Sequence, residues 1–140
     1  MIDVELGALL ADASQAAAYF IDVRDRAAVV EAANALGYHV AEANLENADD
    51  KAALLDELAA ALEFPATFGD NWDALADSLG DLSWRPAPGY LLLLDHCSGL
   101  RETGPADFGI LLEILDEAAR THGARGVPFW AVLPLPSRDA

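Results

Sequence analysis

Tyr90-Leu91-Leu92-Leu93-Leu94-Asp95 is an unbroken apolar run following a rigid Arg85-Pro86-Ala87-Pro88-Gly89 loop. It is too short to be a core helix. Bounded by turn signals, it reads as a strand buried on both faces, the kind found inside parallel sheets. That one strand dictates a layered architecture, with other elements packed on either side of a sheet.

The rest of the chain supplies those layers. Residues 17–23 hold Tyr19-Phe20-Ile21 and read as a strand. Residues 26–36 place Ala28, Val29, Ala32, Ala33 and Leu36 at helical spacing, with Gly37 as the stop. A weaker strand spans 38–45. Asn47-Ala48-Asp49-Asp50 then offers caps for a helix running to about residue 63, with Leu54, Leu55, Leu58, Ala61 and Leu62 on one stripe. Phe64-Pro65 ends it, because proline disfavours helical geometry in the residue before it. Residues 71–82 form a short helix and 107–122 a longer one, the latter closed by Gly123. Residues 128–133 are the last strand, and 134–140 are a loose tail. Strands alternating with helices give an α/β fold, a small and mainly parallel sheet with helical crossovers. No linker divides the chain. Gly7, Gly37 and Gly80 read as turn or cap glycines.

At 140 residues and 54% hydrophobic composition, the chain fits one globular unit. Its 24 acidic residues against 8 basic ones leave a net charge of -16. Such a surface repels phosphate backbones and anionic lipid, so neither direct nucleic-acid binding nor membrane binding is expected. A basic protein is the natural complement, although acidity also serves solubility alone. The single cysteine, Cys97, suits a reducing compartment. An acidic N-terminus and the lack of a long apolar stretch point to a soluble cytoplasmic protein, expected to be a monomer when free.

The segment 64–84 narrows the possibilities. On a wheel of about 100° per residue, Trp72, Leu75, Leu79 and Leu82 form one apolar stripe. Asp70, Asp73, Asp77 and Asp81 form a second, nearly opposite. Asp70 and Asp73 favour the positive end of the helix dipole and are placed to cap it. Asp77 and Asp81 lie nearer the negative end. Asp73/Asp77 and Asp77/Asp81 are like-charge i,i+4 pairs, each costing roughly 0.2–0.5 kcal/mol. No lysine or arginine interrupts the row. The row reads either as a surface awaiting an external cation or as an ordinary solvated face of an acidic protein.

Pro65, Phe68-Gly69, Asn71-Trp72-Asp73-Ala74-Leu75 and Asp77, followed by Asp81-Leu82-Ser83-Trp84, resemble the barstar family. The similarity runs from residue 38 to about 135, leaving 1–37 as an added strand and helix packed on the same domain. The resemblance implies a barstar-like fold and an inhibitor, not an enzyme, that inserts an acidic helix and the preceding loop into the cleft of a basic ribonuclease or nuclease toxin. By position it implies Asp77 as the main mimic of a substrate phosphate and Asp73 as its helper. Glu117 would be a third acid from the later helix. Thr67, Gly69, Asn71 and Trp72 would form the neutral contact surface, with Asp70 beside them. Thr67 and Ala76 replace aromatic residues of the best-known inhibitor, and Thr121 replaces an acid. Those departures imply a different cognate nuclease, or a protein-interaction module with a non-nuclease basic partner.

Other chemistry fits less well. His96-Cys97 invites a base-and-nucleophile reading, but neighbours on a strand face opposite ways. His39 and His122 stand alone, and no metal-ligand spacing or phosphate-cradling glycine loop occurs. A hard cation held by Asp73 and Asp77 would serve a metal-dependent hydrolase, yet nothing basic accompanies them to receive a phosphate. The expectation is no catalytic residue, no metal and no cofactor. Trp84 and Trp130 read as core residues.

Overall fold

A computed structural model describes residues 4–65 and 68–137. Helix α1 (Val4–Ala11) leads to strand β1 (Ala18–Asp22), helix α2 (Arg26–Ala35) and strand β2 (His39–Asn44). Helices α3 (Lys51–Ala61) and α4 (Trp72–Asp81) precede strand β3 (Tyr90–Asp95). Helices α5 (Ser98–Thr103) and α6 (Pro105–Gly123) precede strand β4 (Phe129–Leu135). The four strands lie in the order β1-β4-β3-β2, and every neighbouring pair is parallel. The protein is thus an α/β protein with a small all-parallel sheet.

The alternation of side chains along β3 and β4 divides the interior in two. Leu91, Leu93, Trp130 and Val132 point to one face, where Val29, Ala32 and Ala33 of α2 and Leu10 of α1 cover them. Leu92, Leu94, Phe129, Ala131 and Leu133 point to the other, against Leu54, Leu55 and Leu58 of α3, Leu75 and Leu79 of α4, and Leu111 and Leu115 of α6. The four consecutive leucines are therefore buried on both sides, at 0–1% exposure.

Several local expectations need correction. Helix α1 and the short α5 have no counterpart in the sequence reading. Strand β4 extends through Leu135, and Pro134 is buried, so the tail is not loose from residue 134. Gly7 and Gly80 lie inside helices α1 and α4 instead of at turns. Gly37, at φ 76, is the helix-ending glycine expected. His96 and Cys97 are not strand neighbours, because β3 stops at Asp95. His96 is exposed at φ 59, whereas Cys97 is buried just before α5. Burial pushes the Cys97 thiol up, away from a reactive thiolate.

Residues before position 38 are joined to the rest through the sheet and through polar contacts. Strand β1 pairs with β4 from Ala18 opposite Ala131 to Asp22 opposite Leu135. The Leu10 carbonyl accepts from both the Tyr38 hydroxyl at 2.8 Å and the Trp130 indole N–H at 2.9 Å. At the other end of the sheet, the Arg26 guanidinium grips Asp95 with two hydrogen bonds of 2.9 and 2.8 Å and also reaches Glu42.

Candidate partner-binding face

Helix α4 begins at Asn71. Its side-chain oxygen accepts from the Ala74 N–H at 2.8 Å, and its amide donates to the Gly69 carbonyl at 3.2 Å. Asn71 therefore satisfies one of the open N–H groups of the first turn. Asp70 does not cap the helix as expected from sequence. It precedes the cap, exposed, in the left-handed region at φ 57. Asp73 is in the first turn, where its charge suits the helix dipole.

The apolar stripe anchors α4 as its spacing predicts. Leu75 and Leu79 are 0% exposed and Leu82 is 1% exposed. Trp72 is half-buried, with the Lys51 ammonium 5.6 Å from its ring centre. Asp73, Asp77 and Asp81 lie on the exposed side. Among the described residues, none of these three carboxylates, nor that of Glu117, is in an ion pair. Among the described residues the ridge thus has no ion-pair partner, although Arg125 lines the groove beside Asp77 and Asp81.

The preceding loop is braced by aromatic packing. Phe68 N–H donates to the Pro65 carbonyl at 2.9 Å. Phe64 meets Phe68 at 4.9 Å and Trp84 edge-on at 5.7 Å between ring centres. The Trp84 indole N–H donates to the Leu62 carbonyl at 3.1 Å. Thr67 lies outside the described residues.

Asp77 and Asp81 stand between two shallow grooves. One, of about 380 Å³, runs between α4 and α6 and is lined by Ala76, Gly80, Glu117, Thr121 and Arg125 together with both aspartates. The other, of about 280 Å³, lies toward the loop and includes Pro65, Phe68, Gly69 and Trp84. The fold therefore brings Asp77 and Glu117 into one groove across 40 residues of sequence. Asn71, Trp72 and Asp73 follow at the start of the same helix. Ala76 and Thr121 line the groove beside the acids, where their small side chains leave it open.

Two residues missed from sequence also meet this face. The buried His122 approaches the Leu79 carbonyl with Nε2 at 2.7 Å, and Arg125 donates to the Gly80 carbonyl at 2.9 Å. Their positions carried no motif. Only their proximity to the end of α4 in space shows what they do.

Among the described residues no group of three His, Cys, Asp or Glu side chains is placed to hold a metal ion. No helix there is long and apolar enough to cross a membrane. No curated protein matches the sequence. The family model for barstar, described as a barnase inhibitor, matches residues 38–134, and the chain belongs to the barstar family.

Proposed function

We propose that this protein inhibits a basic ribonuclease, in the manner of an immunity protein, by seating the α4 ridge and Glu117 in the enzyme's cationic cleft. The observation that supports this most directly is an exposed, unpaired row of aspartates on the polar side of a helix whose other side is locked into the core. Carboxylates one helical turn apart, about 5.4 Å along the axis, crudely match successive phosphates of a nucleic-acid strand. Arginine forks in a nuclease cleft would bind them by charge-assisted hydrogen bonds. The helix is fixed beforehand, so little order is lost on binding.

Asp77 occupies the centre of this face and Asp73 extends it by a turn. Glu117 closes it from α6. Asn71, Gly69, Trp72 and Asp70 border the helix start, and the family resemblance assigns Thr67 to the same contact surface. The protein acts without catalysis, cofactor or metal, as a monomer when free. Membership of a family of barnase inhibitors supports a ribonuclease as partner. The residues before position 38 form an extension of the same domain. A cytoplasmic location fits the single reduced cysteine.

A second reading keeps the face but changes the partner. Ala76 and Thr121 leave the groove beside Asp77 without the aromatic and acidic groups of the best-known inhibitor, which suits a basic partner other than a nuclease.

Inhibition assays decide between them. Purified protein titrated into RNA cleavage by barnase, and by any small basic nuclease encoded beside its gene, is expected to stop at least one at equimolar ratio. Association should slow as salt rises, since screening weakens steering. Asp77→Ala should weaken binding by about 2–5 kcal/mol, typical for truncating one partner of a buried charge pair. The same variant should melt at the same temperature or higher, because two like-charge pairs are relieved. Inhibition unchanged by Asp77→Ala would overturn the assignment. Stoichiometric recovery of a basic non-nuclease protein would favour the second reading.

A further inference from the structure

The last four carbonyls of an α-helix have no donor within the helix. In α4 the Ser78 carbonyl accepts from the Leu82 N–H at 3.1 Å, with Leu82 in the left-handed region at φ 50. The next two carbonyls, of Leu79 and Gly80, are met by the C-terminal end of α6 and the turn after it. Arg125 reaches Gly80 from the surface. His122 is different: it is 3% exposed, so its imidazole is shut off from water. Its ring stacks on Phe129 at 5.5 Å and lies 5.6 Å from the Tyr90 ring, so it is held on more than one side.

A carbonyl oxygen only accepts, so Nε2 carries the proton and donates to Leu79. A buried polar group is costly unless its hydrogen bond is made, and a leucine there would avoid the risk. The bond it makes fixes α4 to α6 two residues beyond Asp77 and five beyond Glu117. The contacts nearby are small. A Cβ on Gly80 would be in ordinary contact, at 3.7 Å, with Thr121, and Ala76 and Ala118 line the same groove. On the groove side these small side chains permit close approach without fixing one axial position, while Leu75 and Leu79 pack with Leu111 and Leu115 in the core beneath.

We propose that His122 is a positioning residue: its bond to the Leu79 carbonyl sets the axial register of α4 on α6, and with it the placement of Asp77 and Asp81 opposite Glu117. This rests on the reading that those acids engage one partner together. His122 itself touches no partner. Removing the donor leaves all surface charge in place, so encounter is unaffected and the loss falls on the lifetime of the complex.

The test compares His122→Phe, which keeps a ring and loses the donor, with His122→Gln, whose amide nitrogen reaches to a similar point and still donates. His122→Leu substitutes if the phenyl ring prevents folding. Amide hydrogen exchange of the free full-length protein reads the clasp without any partner. Residues 79–82 are expected to exchange about tenfold faster in His122→Phe, the scale of one ordinary hydrogen bond, while His122→Gln stays near the wild type. With barnase as the probe, the dissociation rate should rise about tenfold in His122→Phe with association unchanged. Equal exchange at residues 79–82 in all three proteins, or equal acceleration in both variants, would overturn the proposal. Wild-type protein that fails to bind barnase, yet shows the exchange pattern, leaves the clasp standing and counts against barnase as target.

Discussion

At the scale of single residues, two positions show constraints that are steric in one case and electrostatic in the other. A Cβ on Gly89 would collide with the Tyr38 ring, whose hydroxyl is tied to Leu10. The ring cannot move away without breaking that bond, so Gly89→Ala is expected to lose about 1–3 kcal/mol of stability, the usual cost of overpacking, measured by urea denaturation. His122 governs a pH dependence. Burial holds its pKa below the ordinary histidine value, outweighing the Leu79 carbonyl that raises it. The unfolded chain therefore takes up a proton near pH 6.5 that the folded chain resists. Stability from this source is present above that pH and is lost as pH falls toward the lower folded value. His39 shifts the same way, through burial and then the Arg85 charge. Denaturation at pH 7.5 and 5.5 should show His122→Gln losing less on acidification than the wild type. Protonation of carboxylates is common to both proteins and drops out of that difference.

Among the elements, α4 joins the fold to its proposed use. Its apolar stripe and its acid row were legible in the sequence because helical periodicity is local information. Its start was less so: Asp70 and Asn71 are both good caps by residue type, and only backbone conformation assigns the role to Asn71. Asn71→Ala is expected to lower stability by about 0.5–2 kcal/mol, whereas Asp70→Gly, which suits the left-handed backbone at φ 57, should not, as thermal melting would show. Strand β3 was evident from Tyr90 to Asp95 because nothing but a doubly covered strand suits four leucines in a row. Helix α1 was not, since a short segment bearing Leu6, Leu9 and Leu10 has no long period to betray it. The pairing of Asp77 with Glu117, and the reach of His122 to Leu79, depend on how α4 and α6 meet. No spacing along the chain encodes that, and the family resemblance alone marked Glu117.

For the molecule as a whole, the segment before position 38 supplies α1 and α2, whose Leu10, Val29, Ala32 and Ala33 pack over Leu91, Leu93, Trp130 and Val132 on one face of the sheet. A chain beginning at Tyr38 is expected to melt well below the full-length protein and to bind hydrophobic dye, because apolar surface is opened to water. An unchanged melting temperature would show that this layer adds nothing. The opposite side presents α4 and α6, so the sheet cover and the proposed partner face are separate. The proposed function requires that the Asp77 ridge sit in a cationic cleft. A double-mutant cycle tests it most directly, pairing Asp77→Ala with removal of each arginine or lysine in the active site of a ribonuclease that the protein inhibits. A coupling of about 0.5–3 kcal/mol is expected with at least one of those cations, as for residues in direct contact. Strict additivity with every cation in the cleft would contradict it.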